Sequence, residues 1–365
     1  MDKLICIPDF EQAASKILTS NAYEYYKSGA DDESTLSDNK QAYQRWLIKP
    51  RVLRDVSSRK LVSTVLDGKV NFPVGVSPSA MQKLAHPEGE LGMVRAVEQS
   101  GSIYILSTNS TCSIEEVAKA APAARKWFQL YVFKDRSVSV GLVKRAEAAG
   151  FEALVLTVDA PLFGRRRANI RNRFALPSHL KLANFPSEGF NTSDKGSALS
   201  NLDKIMDQSV TWDDFKWLQS FDDICSITKL PIVLKGIMSP EDAKMALAYG
   251  ANAIFVSNHG GRQLDTVFAT LDALPAIVKE VAGRCDVYVD GGISTGSDVF
   301  KALALGATMV FIGRPALWGL SVSGQVGAKR VLEILRDELD LTMALSGISD
   351  VKEIDSQYVI RSSLL

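Results

Sequence analysis

The chain has 365 residues, 46% apolar and 23% charged, which excludes a disordered, collagenous or low-complexity protein and requires a packed core. Its 42 Lys and Arg balance 42 Asp and Glu, so there is no broad electrostatic footprint for nucleic acid or an anionic membrane, and an anionic ligand must be met locally. Four cysteines without a CxxC pair, and three histidines, argue against a disulfide framework or a metal site and fit a reducing compartment.

In chain order, residues 1–71 precede the repeating part, and the helical spacing over Phe10–Ser28 predicts a capping helix. The opening MDKLICIPDF lacks the order of a signal peptide, and no apolar run approaches the roughly 18 residues of a membrane span, so a soluble intracellular protein is expected. From residue 72 short β-branched runs alternate with amphipathic stretches, as for strands buried on both faces. The runs are Phe72–Ser77, Ile103–Ser107, Lys126–Val132, Ala153–Val158, Pro231–Lys235, Ala253–Ser257, Val287–Asp290 and Met309–Ile312. The predicted helices are Glu88–Gln99, Ile114–Ala121, Val138–Ala149, Pro240–Tyr249, Leu271–Val281, Ser297–Leu305 and Ala328–Leu339. Glycines just past several of them (Gly101, Gly150, Gly250, Gly306) mark their ends.

Eight such repeats predict an α/β fold, a closed (β/α)8 TIM barrel over 72–340, in one domain spanning 1–365. An N-terminal cap (1–71) and a tail (341–365) flank it. The connection 160–230 is far longer than a barrel loop needs and is polar (PSEGFNTSDKGS), which predicts a lid.

Chemistry on this fold collects at the C-terminal strand ends. Those ends carry Pro78-Ser79-Ala80, Ser107 with Asn109, Gln129 with Tyr131, Thr157 with Asp159, Lys235, Ser257-Asn258-His259, Asp290-Gly291-Gly292 and Gly313-Arg314. The last two, DGGIS and GRP, suit a phosphate: glycines let main-chain N–H groups approach, and arginine adds a planar cation. Lys235 has three readings: a Schiff-base amine, a charge stabiliser for a bound anion, or a solvated strand end. His259, in SNHGGRQLD, reads as a general base with Arg262 within reach of the same pocket. In GRRR (164–167) one or two arginines are expected to be plain loop charges.

The strings YEYYKSGADDE, AMQKLAHPEGE, WFQLYVFKDR, LTVDAP, GRRRANIRNRF, PIVLKGI, VSNHGGRQLD, VDGGI, DVFKALALGA, FIGRP and LTMALSG, in order across Ile7–Val351, resemble the FMN-dependent L-2-hydroxy acid oxidases, the glycolate oxidase and long-chain hydroxyacid oxidase group. The resemblance implies oxidation of a 2-hydroxy acid to a 2-oxo acid on FMN, with oxygen as acceptor and hydrogen peroxide as product. It implies His259 as base, oriented by Asp159, with Arg166 and Arg262 on the substrate carboxylate. Tyr25 and Tyr131 would add hydrogen bonds to substrate, and Lys235 would stabilise negative charge on the flavin ring. Pro78, Ser79, Ala80, Ser107, Gln129, Thr157 and Ser257 would line the flavin, and Asp290, Gly291, Gly292, Ser294, Gly313 and Arg314 would surround its phosphate. A homotetramer is implied as well.

Three departures stand out. Where the family carries an arginine soon after DGG, this chain has Ser294, which predicts weaker FMN retention, the hydroxyl and main-chain amides still donating. Asn109 stands where glycolate oxidases place tryptophan, and Phe163 where they place leucine, which predicts a substrate larger than glycolate. The segment Ser220–Cys225 departs from the family spacing without a functional account. Alternatives are a dehydrogenase with a non-oxygen acceptor and, from another class, a Schiff-base aldolase on Lys235. Ser363-Leu364-Leu365 partly matches a peroxisomal Ser-Lys-Leu signal, with leucine where a base belongs.

Overall fold

A computed structural model describes residues 3–185, 198–219 and 227–364; the expectations for Ser220–Cys225, for the PSEGFNTSDKGS stretch and for the last residue fall outside them. The eight barrel strands are β1 (Val74–Val76), β2 (Ile103–Leu106), β3 (Arg125–Leu130), β4 (Ala153–Thr157), β5 (Ile232–Ile237), β6 (Ala253–Val256), β7 (Asp286–Asp290) and β8 (Met309–Ile312), each within two residues of its expected ends. Each pairs in parallel with the next, and β8 with β1, closing a TIM barrel.

The pleat divides each apolar run between two cores. Ile103, Ile105, Trp127, Val155, Phe255, Tyr288 and Phe311 fill the barrel interior. Tyr104, Leu106, Phe128 and Leu154 face outward against the helical layer, which is why these strands read as unbroken hydrophobic runs. An antiparallel hairpin, Ser63–Val65 with Gly68–Val70, plugs the N-terminal end: Val65 and Val70 join the interior core, and Leu66 N–H donates to Asp286 Oδ2 at 3.0 Å. That end is sealed, so only the opposite mouth is open for chemistry.

Three expected elements differ. The helix over Phe10–Ser28 is two, α1 (Ile7–Ile17) and α2 (Ser20–Lys27), because Leu18 and Thr19 are extended and the Thr19 hydroxyl caps α2 by accepting from Ala22 N. A third N-terminal helix, α3 (Ser34–Gln41), follows. The helix expected at Ala328–Leu339 begins far earlier, at Arg314, and runs to Leu345 with a break at Ser323–Gly324. Pro315 at its start and Gly319, Gly324 and Gly327 masked this from helical spacing. Finally, the 160–230 connection carries helices at Arg167–Arg171, Ala198–Ile205 and Trp212–Gln219. In the tail, Val359–Arg361 pairs antiparallel with Trp46–Ile48, fastening the C-terminal segment to the N-terminal one.

Candidate active site

At the open mouth a cavity of about 830 Å³ reaches from Ile7 and Glu11 on α1 past Tyr25 on α2 to the ends of β1–β8. It is large enough for a cofactor and a small substrate together. Pro78, Ser79, Ala80, Ser107, Asn109, Gln129, Tyr131, Thr157, Phe163, Arg166, Lys235, His259, Arg262, Asp290, Gly291, Gly292, Ser294, Gly313 and Arg314 all line it. Thus residues scattered over the whole sequence are brought to one wall-and-floor arrangement, as the strand-end reading expected. Of the expected set, Ser257 lies behind the wall, fully buried, and Asp159 is positioned through His259.

His259 follows β6 with φ of +59°, a left-handed conformation that costs a non-glycine residue roughly 1–3 kcal/mol. Its N–H donates to Ser257 Oγ at 3.1 Å, and the Gly260-Gly261 pair that follows keeps the left-handed turn open. The strain holds the imidazole toward Asp159, 3.0 Å from Nδ1 to Oδ1, leaving Nε2 for a ligand. Room for the carboxylate comes from Gly236 on β5, where a Cβ would lie 2.7 Å from Asp159 Cβ. Burial lowers the His259 pKa from the ordinary imidazole value, although Asp159 works against it, so the ring is neutral at pH 7 and competent as a base. Burial pushes the Asp159 carboxyl up, but the imidazolium form of His259, the hydrogen bond to its ring and the Lys235 ammonium outweigh this and bring the carboxyl below its ordinary value.

Lys235 and Asp290 form a second unit. Lys235 Nζ lies 3.2 Å from Asp290 Oδ2 and donates to Ser257 Oγ at 2.6 Å. Asp290 also accepts from Ser257 Oγ at 2.7 Å and from Ser77 Oγ at 2.9 Å. The lysine is therefore an ion-paired ammonium fixed at the β5 end, suited to stabilising an anion and unsuited to nucleophilic attack. Asp290 serves this lysine, and not the phosphate end to which the resemblance assigned it.

Three guanidinium groups converge without a carboxylate partner among the described residues. Arg262 Nη1 donates to the carbonyls of Tyr25 at 2.6 Å and Tyr26 at 3.1 Å, and its guanidinium lies over the Tyr25 ring at 5.1 Å. Arg166 Nε donates to Arg262 O at 3.3 Å; burial first and Arg262 second bring its pKa down to about 9, still protonated at neutral pH. Arg314 spends its side chain on Tyr26 O at 2.8 Å, Gly260 O at 2.9 Å and Ser28 O at 3.0 Å. The cation expected at the phosphate thus also clamps α2 to the His259 loop, with three of its five N–H groups engaged and the side chain still lining the cavity. Beside the two remaining guanidinium N–H groups, Gly313-Arg314 offers an anion main-chain N–H at the start of the long helix.

Sequence reasoning passed over Gln263, which ties the 159–164 stretch to the His259 loop. Its Nε2 donates to Asp159 O at 3.1 Å and Leu162 O at 2.8 Å, while its Oε1 accepts from Gly164 N at 3.0 Å. Asn39 was also passed over, and Asn258 was named at its strand end without a role; their carboxamides exchange hydrogen bonds of 2.9 and 2.8 Å, joining α3 to the β6 end. The signal available was their place in or beside motifs already singled out, but partners 99 to 219 residues apart cannot be read from spacing.

Residues 14–361 match a family described as FMN-dependent dehydrogenase. Glycolate oxidase 3 of Oryza sativa subsp. indica is 50% identical over 367 residues, covering 100% of this chain and 98% of that protein. 2-Hydroxyacid oxidase 1 of Homo sapiens is 48% identical over 372 residues, with 100% and 98% covered. Among solved structures, mandelate oxidase with (S)-4-hydroxymandelic acid superposes with a TM-score of 0.90 at 39% identity, covering 98% of each chain. An active chimera of (S)-mandelate dehydrogenase gives 0.91 at 35% identity, covering 99% of this chain and 100% of the other. The chain belongs to the FMN-dependent dehydrogenase family.

The residues fit FMN. Gln129 Nε2 is a buried donor without an acceptor among the described residues, while its Oε1 is held by Thr108 N at 3.1 Å. At the other end Gly291 (φ +97°) and Gly292 (φ +80°) line the cavity in a backbone conformation that favours glycine, and without a Cβ their main chain is open to close approach by an anion. One expectation about this end is corrected. The Ser294 N–H (3.0 Å), the Ser294 hydroxyl (3.2 Å) and Thr295 N–H (2.9 Å) all donate to Asp298 Oδ2, capping the next helix, so they are not free for a phosphate. A Ser294→Arg variant should therefore bind FMN roughly 10- to 100-fold more tightly, the worth of one charge-assisted hydrogen-bonded pair, in a fluorescence titration of apoprotein. Equal or weaker binding by the variant would refute this assignment of the phosphate end.

Proposed function

We propose that this member of the family oxidises an L-2-hydroxy acid to the 2-oxo acid with oxygen as acceptor, releasing hydrogen peroxide, and that its substrate is larger than glycolate. The reading rests on one juxtaposition: a neutral imidazole held by Asp159 at 3.0 Å shares a cavity with the buried Arg166 and half-buried Arg262 guanidiniums, which have no carboxylate partner among the described residues. Bound FMN supplies the two-electron acceptor. Arg166 and Arg262 hold the substrate carboxylate, and a planar guanidinium fixes which face of C2 is presented. His259 Nε2 then takes up a proton as the C2 alcohol becomes a carbonyl, and Asp159 stabilises the imidazolium that results. Tyr131 remains protonated, because burial first and Asp159 second raise its pKa, and so it can donate to the substrate oxygen. Lys235, fixed by Asp290, balances negative charge beside the cofactor-binding wall.

The oxygen acceptor is supported by the names of the full-length relatives, both oxidases. A dehydrogenase reading is kept alive by the (S)-mandelate dehydrogenase neighbour. A larger substrate is supported by Asn109 and Phe163 lining the cavity, Phe163 standing edge-on to Tyr131 at 6.2 Å. A peroxisomal site of action and a homotetrameric assembly complete the proposal.

The test is a visible spectrum of the purified protein followed by a peroxide-coupled assay over glycolate, lactate, longer aliphatic and aromatic 2-hydroxy acids. A yellow protein forming one peroxide per 2-oxo acid, with glycolate below longer substrates in kcat/KM, is expected. Turnover only with an artificial electron acceptor would replace the oxidase reading by the dehydrogenase one, and glycolate as best substrate would overturn the size preference.

A further inference from the structure

The loop after β2, Ser107–Cys112, is fixed from every side. Thr108 N donates to Gln129 Oε1 at 3.1 Å, and Asn184 Nδ2 donates to Thr108 O at 3.1 Å and Ser110 Oγ at 2.9 Å. Thr111 gives its N–H (2.8 Å) and hydroxyl (2.6 Å) to the buried Glu90 carboxylate. Even the main chain of Asn109 is engaged, its N–H with Ser107 Oγ at 3.2 Å and its carbonyl with Met81 N at 3.1 Å.

The Asn109 carboxamide is the exception. The residue is only 5% exposed, and its Oδ1 is buried with no partner among the described residues. It lines the cavity together with Tyr131, Phe163 and Arg166. A buried amide left unpaired is unfavourable, and a loop this rigid cannot swing it out to water. Rotation about χ2 is its remaining freedom, and that brings either a donor or an acceptor to the cavity face.

We propose that Asn109 completes its hydrogen bonds with the substrate: the preferred 2-hydroxy acid carries a neutral hydrogen-bonding group, a hydroxyl or a carboxamide, on the side chain beyond C2. This rests on the oxidation of 2-hydroxy acids argued above and names the part of the substrate that reading left open. With Arg166 and Arg262 assigned to the carboxylate and His259 to the reacting centre, Asn109 is a polar group in this pocket whose Oδ1 has no partner among the described residues and which has no assigned role.

Isosteric substrate pairs test it on the FMN-loaded protein. Glycerate is compared with 2-hydroxybutanoate, and 3-carbamoyl-2-hydroxypropanoate with 2-hydroxy-4-methylpentanoate. The polar member of each pair should have the higher kcat/KM by tenfold or more, since a site built to bond a polar group rejects the analogue lacking it. In Asn109→Leu the order should reverse, with the FMN dissociation constant, read by flavin fluorescence, unchanged within about twofold. Equal or apolar preference in the wild-type protein overturns the inference. So does a weaker FMN constant in Asn109→Leu with an unaltered substrate ratio, which would assign the carboxamide to the cofactor. Absence of turnover with any 2-hydroxy acid would overturn the function reading and this inference with it, whereas turnover with apolar preference overturns only the latter.

Discussion

Replacing His259 with glutamine should lower kcat/KM by about 10²- to 10⁴-fold, the range a positioned general base supplies, while the flavin spectrum stays that of the loaded protein. Glutamine keeps a hydrogen-bonding side chain but cannot take up a proton. The pH profile carries the second half of the expectation. Burial depresses the His259 pKa below the ordinary imidazole value, so the free protein holds an active, neutral ring from neutrality upward. Activity is then lost only as pH falls through that depressed value, and the acid limb of kcat/KM should lie below the unperturbed imidazole pKa of about 6.5. Asp159 works to raise the His259 pKa, so Asp159→Asn should move the limb lower still while reducing the rate, because the imidazolium loses its counter-charge. A limb that moves upward, or a His259→Gln protein within tenfold of wild type, would remove His259 from the role of base.

The barrel was legible because parallel strands buried on both faces write themselves as continuous apolar runs, as IYIL does at Ile103–Leu106, all four residues being buried. The strand ends were legible for a related reason: apolar periodicity stops where the wall of the cavity begins. β5 shows the limit. It continues past Lys235 through Gly236 (φ +113°) to Ile237, with a shift in register that a sequence pattern reads as the strand's end. The residue types of the site could be named from sequence, but not what each spends its hydrogen bonds on. Arg314 and Ser294 have the donors expected of a phosphate site, and folding directs three of the five Arg314 N–H groups to carbonyls and the Ser294 donors to Asp298. Those partners lie on α2 and on the helix after β7, and only the closed barrel brings α2 over the mouth.

Removing one of the paired guanidiniums should separate stability from activity. Arg166 is buried and Arg262 half-buried beside it; burial first and that neighbour second weaken Arg166 as a cation, with no carboxylate paired to either among the described residues. Their mutual repulsion is a cost in the free protein that a substrate carboxylate relieves on binding. In Arg166→Met the cost disappears and the volume is kept, so the melting temperature of the ligand-free protein should hold or rise. The same change leaves the incoming carboxylate short of one charged partner in a buried site, a loss of about 2–5 kcal/mol, or roughly thirtyfold to a few thousandfold in kcat/KM. Arg166→Lys should recover little, because a point charge cannot reproduce the planar fork that orients C2. Differential scanning fluorimetry and the peroxide assay on the same preparations decide it: a variant that loses activity together with several degrees of melting temperature would make Arg166 a structural cation and remove it from carboxylate recognition.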